Sequence, residues 1–341
     1  MLNKILPAEW EPQSGVQLTW PHAETDWAND LDEVSLCFGQ IAKHISWFEK
    51  VIIVCKDELF VNEYLQGGKK ENIHFYGIES NDTWARDHGG IAVLKNNQPV
   101  IVDFKFNGWG LKFVSDKDNL ITSKLIGMGA YVDDVQRENQ LGFVLEGGSI
   151  ESDGEGTILT TAECLLSPNR NGNFSQREIE EYLKSTLGAE RVLWLNHGFL
   201  QGDDTDSHID TLVRFVDTET IAYVKCDDRA DIHFDALEKM EEELKCFVTK
   251  QGKPYRLISF PMADPVYCDG ERLPATYANF LIINDAVLYP TYDSLKDKLV
   301  WEILKEAFPG REIIGINCLS LIKQHGSLHC VTMQFPEGFL K

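Results

Sequence analysis

Four short segments carry side chains suited to proton transfer, cation binding or nucleophilic attack. In Asp203–Phe215, which reads DDTDSHIDTLVRF, His208 stands two residues from Asp210. A strand is expected to begin at about His208, and residues two apart on a strand share a face. An imidazole beside a carboxylate is an acid/base unit whose pKa can be set near neutrality. The same run also reads as a metal-binding pattern through Asp206, His208 and Asp210, or as polar residues ending a strand. Residues 80–90, SNDTWARDHGG, gather Asp82, Trp84, Arg86, Asp87 and His88. Arg86 and Asp87 fit a surface ion pair. Trp84 and Asp87 also suit a guanidinium, because a carboxylate takes its fork in two hydrogen bonds and an indole covers its apolar stem. Glu146, in LEGGSIESDGEG, follows Val144 and Leu145 and precedes two glycines that permit close backbone approach. Its apolar neighbours imply burial, and a buried glutamate requires a partner or a proton.

The fourth segment is QHGSLHCVTMQFP, residues 324–336. Alternation predicts a strand over Cys330–Phe335, with Val331, Met333 and Phe335 on one face and Cys330, Thr332 and Gln334 on the polar one. A cysteine there, just after a flexible Gly326-Ser327 turn, is a candidate nucleophile in need of a nearby acid/base. The eight cysteines, at 37, 55, 164, 226, 246, 268, 318 and 330, form no C-x-x-C pair and no Cys/His cluster at zinc spacing. Free thiols and no structural zinc are therefore expected. Cys55, Cys226 and Cys318 lie in or beside apolar strands and read as core.

The elements that must position these residues recur along the chain. Hairpins are predicted over Ile91–Phe106, Val144–Thr161, Leu212–Val224 and Asn279–Tyr289, turning at Asn96-Asn97, Asp153-Gly154, Asp217-Thr218-Glu219 and Asn284-Asp285. Between the first residues of successive turns lie 57, 64 and 67 residues, a loose structural period rather than a sequence repeat. Amphipathic helices are predicted over Asp30–Phe48, from a Ser175/Glu178 capping box through Leu187, over Asp235–Val248, and over Asp293–Phe308 before Pro309-Gly310. Val51–Val54 reads as a buried strand. The unit is strands, hairpin and helix, used about five times. No Gly/Ser/Pro-rich linker divides the 341 residues, so a single pseudo-symmetric α/β domain over 1–341 is expected.

Composition bounds the rest. With 43% hydrophobic and 25% charged residues the chain has the balance of an ordinary soluble globular protein. Lys plus Arg number 32 against 54 Asp plus Glu, and a net charge of -22 repels phosphate backbones. No apolar run approaches a bilayer span, and MLNKILPAEWEPQSG has no signal-type stretch, so a cytoplasmic location is expected.

Together these segments resemble the agmatine deiminase and bacterial peptidylarginine deiminase family, within the guanidino-group-modifying superfamily of pentein fold. The resemblance rests on PAEWEPQSGVQLTWPH (7–22), NDTWARDHGG (81–90), FNGWG (106–110), LEGGSIESDGEGT (145–157), DSHIDT (206–211), NFLIIND (279–285) and HGSLHCVTMQ (325–334), in the family's order. It implies a five-bladed α/β propeller, in agreement with the hairpin period. It further implies Cys330 as nucleophile, His208 as general acid/base, and Asp87 and Asp210 as the carboxylates gripping a guanidinium. Glu146 would orient or share charge with His208. Trp84 would pack on the substrate's chain, with Trp109 and Asn279 as further substrate-binding residues. The implied reaction is hydrolysis of agmatine to N-carbamoylputrescine and ammonia, with neither metal nor organic cofactor. Peptidylarginine or free arginine is the alternative substrate. A non-catalytic guanidinium-binding pentein and a metal-dependent hydrolase are alternatives of other classes. The expected partner is a small cationic guanidino substrate, with no nucleic acid and no membrane, and room is left for a homo-oligomer. Three departures from the family pattern adjoin reactive positions: Gly90, Ser207 and His325-Gly326-Ser327.

Overall fold

All four predicted hairpins form, each where Asn, Asp or Gly supplies the turn, in a computed structural model that describes residues 4–341. The strands Ile91–Lys95 and Gln98–Lys105 are joined by Asn96 and Asn97, both left-handed with φ of 50° and 62°. Two such residues match the twist of the flanking strands, and asparagine tolerates them better than a β-branched residue does. The other pairs are Ile150–Ser152 with Thr157–Thr161, Val213–Asp217 with Thr220–Lys225, and Leu281–Ile283 with Ala286–Thr291.

Each hairpin adds a third strand parallel to its second. Gln136–Val144, Arg191–Leu195, Arg256–Pro261 and Glu312–Asn317 take these places. Parallel neighbours require a crossover. The helices Ile121–Gly127, Gln176–Leu187, Phe234–Cys246 and Lys296–Ala307 lie in the four connections. The fifth sheet joins both ends of the chain: Gln13–Thr19 pairs antiparallel with Thr332–Pro336 and parallel with Lys50–Cys55, which pairs with Ile73–Gly77. Helix Leu31–Ser46 makes its crossover. The chain is thus an α/β protein with five mixed sheets of one internal pattern among the described residues.

Helix Gln176–Leu187 shows how the sequence sets these elements. Ser175 accepts a bond from the Glu178 backbone and Glu178 accepts one from the Ser175 backbone, a reciprocal cap whose loss costs about 1 kcal/mol. Ile179, Leu183 and Leu187 lie fully buried on one face. Gly188 ends the helix at φ 82°, with its N–H on the Lys184 carbonyl. No described helix is long and apolar enough to cross a membrane.

Two local expectations are corrected. The strand after His208 begins only at Val213; residues Ile209–Thr211 form a single 3₁₀ turn capped by His208. The final strand covers Thr332–Pro336, so Cys330 precedes it and is buried rather than placed on a polar face. The Asn279 carboxamide oxygen takes the backbone N–H groups of both His329 (2.8 Å) and Cys330 (3.3 Å), which turns the chain inward before the ladder begins.

Asp87, Gly148, Asp210, Asn279 and Cys330 now occupy one recurring position. Each stands two to four residues ahead of the first hairpin strand of its sheet, or, for Cys330, ahead of the strand that pairs with Gln13–Thr19.

Candidate active site

Asp87 belongs to the short helix Ala85–His88, where its carboxylate accepts bonds from the Trp109 indole and the Gly148 backbone, each at 3.0 Å. Trp109 reaches it because Gly108, Trp109, Gly110 and Leu111 are all left-handed, with φ between 53° and 84°. Trp84 donates to Asp82 at 3.0 Å, and the other oxygen of Asp82 accepts from Trp27 at 3.1 Å. One half-buried aspartate therefore fixes two indoles of the aromatic wall.

His208, which caps the 3₁₀ turn, and Asp210, at its centre, both meet the site. The His208 Nδ1 lies 3.6 Å from an Asp87 oxygen, while its Nε2 is buried without a partner. The Asp210 Oδ2 accepts from His329 at 2.7 Å; its Oδ1 is buried and unpartnered. Cys330 Sγ lies 3.9 Å from Asp210 Oδ2 and 3.4 Å from Asn279 Oδ1. Gly148 closes the floor. A Cβ added there would come within 2.7 Å of His208 Nδ1, 2.8 Å of Asp87 Oδ1 and 3.3 Å of Asp210 Oδ2. Two carboxylates, an imidazole and a thiol thus surround a slot that exists because residue 148 has no side chain.

Burial pushes the Cys330 thiol well up, and the charges of Asp210 and Asp87 push it further. Burial depresses His208 to about 3 against the opposing pull of Asp210, so its imidazole is neutral when the site is empty. Asp87 is driven well above the usual carboxylate range by burial and by repulsion from Asp210. Asp210 is also desolvated, yet its bond to His329 holds it below that range. The two carboxylates are therefore unequal, and Asp87 is the one that takes a proton.

Glu146 departs from its expected setting. Arg170 Nε spans both of its oxygens at 2.9 and 3.1 Å, and neither side chain is exposed. Its carboxylate does lie within 4.8 Å of His208 and of Cys164 Sγ. Its charge, however, is shared with Arg170 first. Asp206 likewise turns to Arg170 and Lys112 rather than toward His208 and Asp210, through left-handed φ values of 64° and 61° at Asp206 and Ser207. Arg86 is no surface ion-pair partner: it is buried, its backbone N–H on the Cys330 carbonyl at 3.2 Å. Asn279 touches Cys330 Sγ through its Oδ1 at 3.4 Å and donates from Nδ2 to the Asp210 carbonyl at 3.3 Å, and it does not line the pocket between Trp84 and Trp109.

The departures from the family pattern have local causes. A Cβ on Gly90 would lie 2.4 Å from Ile101, Ser207 donates to Glu163 at 3.0 Å, and Gly326 packs directly on the Trp84 ring. Ser327 meets the Tyr292 hydroxyl at 2.9 Å and His325 meets the Gly202 carbonyl at 2.7 Å.

From the slot a pocket opens between Trp84, Trp109 and Phe113, with Asp26, Asp82 and Asp204 along it. Among the described residues, no lysine or arginine lines it.

Comparison with known proteins places this geometry. The structure matches a "putative arginine deiminase" from Porphyromonas gingivalis, 54% identical, over 99% of this chain and 100% of that one, with a TM-score of 0.96. It matches a cysteine-to-serine variant of the C. jejuni agmatine deiminase with substrate bound, 37% identical, over 100% and 98% of the two chains, with a TM-score of 0.92. A "putative agmatine deiminase" of Legionella pneumophila (strain Paris) is 34% identical over 98% of this chain and 96% of its own. Fold and relatives together define a pentein hydrolase acting on C–N bonds of guanidino compounds. The family model of Porphyromonas-type peptidyl-arginine deiminase matches residues 5–336, and the chain belongs to that family.

Proposed function

We propose that this chain hydrolyses agmatine to N-carbamoylputrescine and ammonia through a covalent bond to Cys330. The observation that carries the choice is the pocket lining, which holds four aspartates and neither lysine nor arginine. Asp87 and the free oxygen of Asp210 suit the guanidinium, while Asp26, Asp82 and Asp204 suit the ammonium at the far end of agmatine. Free arginine would bring a carboxylate into the same acidic passage. Like charges brought together cost several kcal/mol, so agmatine is expected to exceed arginine in kcat/KM by at least about a hundredfold. A panel of agmatine, arginine and an arginyl peptide, scored for ureido product, tests this. Equal or better turnover of arginine or the peptide would remove the agmatine reading.

The chemistry follows from charge. With a guanidinium between Asp87 and Asp210, the field that suppresses the thiolate is cancelled, and the Cys330 proton passes to neutral His208. The thiolate bonds to the guanidinium carbon and gives a tetrahedral adduct. His208 returns the proton to the departing nitrogen, which leaves as ammonia. The amidino thioether that remains is attacked by water as His208 takes a proton, and its collapse frees Cys330 and the ureido product. Binding orients the carbon toward the sulfur before any bond changes, which is where much of the rate of such a site originates.

Gly148→Ala tests the slot itself. Its Cβ would displace the groups that bound the guanidinium, and a misplacement of about 1 Å costs about a hundredfold, so kcat/KM should fall by at least that much. A thermal melt run beside the kinetics separates this from unfolding. Parental kinetics in this variant would show that the reaction occurs elsewhere.

A further inference from the structure

The segment PAEW, residues 7–10, has no part in the chemistry described so far, yet Glu9 ends in the same buried cluster as Asp210. His329 joins them. Its Nδ1 lies 2.7 Å from Asp210 Oδ2 and its Nε2 lies 2.8 Å from Glu9 Oε2. The ring is 1% exposed and Asp210 is fully buried. The His329 backbone N–H donates to Asn279 Oδ1, the same atom that receives Cys330. The direction of the ring and the place of the sulfur are thus set by one carboxamide.

Glu9 is itself fixed on every side. Its Oε1 accepts from the Ile282 backbone at 2.7 Å, and its Oε2 accepts from Arg214 Nη2 at 3.0 Å, with Arg86 Nη2 at 3.7 Å. Arg214 Nη2 also lies 3.1 Å from His329 Nε2, and its Nε meets Glu151. The charged and titratable groups around the imidazole are therefore Asp210, Glu9, Arg214, Arg86, Glu151 and the adjacent Cys330. Donors and cations already engage Glu9, which favours its ionised form, so both ring nitrogens of His329 face carboxylate oxygens. Nδ1 thus meets the Asp210 carboxylate, while Nε2 meets both the Glu9 carboxylate and Arg214 Nη2, so the ring is gripped at both nitrogens.

We propose that His329 and Glu9 are positioning residues that hold Asp210 ionised and turn its free Oδ1 toward the substrate. The proposal rests on the reading of Asp210 as a guanidinium-binding carboxylate. His329 bonds Oδ2, the oxygen that also faces Cys330 Sγ, and leaves the unpartnered Oδ1 for the substrate. Without that hydrogen bond, a desolvated carboxylate next to Asp87 takes up a proton more readily. Glu9 acts one step further back, by fixing the ring.

The test is kcat/KM against pH for the parent, His329→Gln, Glu9→Gln, the double variant and Asp210→Asn, each checked by circular dichroism and thermal melting. His329→Gln should lower kcat/KM at least about tenfold, since hydrogen bonds to charged groups are worth that much. Its acid limb should move to higher pH by about one unit or more, as a carboxylate that loses a hydrogen bond to its charged form does. Glu9→Gln, nearly isosteric, should shift the limb the same way by less. The double variant should be no worse than His329→Gln alone, because the two act in series. If His329→Gln does not fold, the limb of Glu9→Gln decides. Unmoved acid limbs with an inactive Asp210→Asn would overturn the relay and leave the guanidinium reading standing. Losses that multiply in the double variant would also overturn it. Parental kinetics in Asp210→Asn would remove that reading, and the relay with it.

Discussion

Cys330→Ser is expected to bind substrate and release no measurable ammonia. A hydroxyl in this position is a far weaker acid than a thiol, and the surrounding charges already oppose ionisation: burial, Asp210 and Asp87 all push the Cys330 proton on more tightly. Removing the nucleophile of a covalent catalyst costs on the order of 10⁶ in kcat. The same electrostatics give a second readout in the parent protein. An amidinium-bearing alkylator, which carries its own cation into the slot, should label Cys330 faster at neutral pH than neutral iodoacetamide does. Peptide mapping by mass spectrometry locates the label. A label on any of the other seven cysteines, or turnover in the serine variant, would sink the assignment of Cys330.

His208→Gln should lower kcat by about 10² to 10⁴, the usual contribution of a positioned acid/base group. Burial holds this imidazole at about 3, so around neutral pH its protonation in the empty site does not change. Its role begins only when the cation arrives and the thiol proton needs an acceptor. The pH dependence of kcat/KM must then come from other groups, foremost the mutually repelling pair Asp87 and Asp210, which titrates as a unit with its more tightly held proton on Asp87. Its carboxyl is raised by burial and by Asp210, so a bound guanidinium displaces a proton from it. The sign is fixed: kcat/KM should rise with pH until Asp87 is ionised in the free protein, and substrate binding below that point should release a proton measurable by calorimetry in two buffers. A His208→Gln variant with parental kcat would show that proton transfer takes another route.

Local chemistry explains which parts of this arrangement are legible in the sequence. Asn96-Asn97 and the Ser175/Glu178 cap act within a few residues, and both form as expected. The seven motifs also carry Cys330, His208, Asp87 and Asp210 to one slot, though not by the expected geometry. Strand alternation would set His208 and Asp210 on one face; a 3₁₀ turn brings them together instead, because Thr205 and Asp203 take the backbone N–H groups of His208 and Ser207. The role of Gly148 is half visible in the glycine pair after Glu146. Arg170 gives no signal at all. A lone arginine is exposed far more often than buried, and its partners Glu146 and Asp206 lie 24 and 36 residues away. Glu9 and His329 are further apart still, at 320 residues, and only the closed sheet brings them together. His329 stands beside the nucleophile in the motif HGSLHCVTMQ, which is the one hint of it.

The sheet that carries Cys330 has a consequence for how the molecule comes to be active. Its paired strands Gln13–Thr19 and Thr332–Pro336 lie more than 300 residues apart, and the strands of the other four mixed sheets are all synthesised before Thr332–Pro336. At the pace of synthesis, roughly 5–20 residues per second, the sheet completed by Glu312–Asn317 has about a second or more, and the other three mixed sheets longer, to form while this one lacks its outer strand. The emerging chain therefore holds the carboxylates and the imidazole of the slot before it holds the sulfur, and Gln13–Thr19 waits with one edge unpaired. Such edges invite pairing with other chains. A nascent chain stalled before residue 330 should thus be inert toward guanidines and prone to self-association, and activity should appear only once Cys330 and Thr332–Pro336 are free to join the sheet.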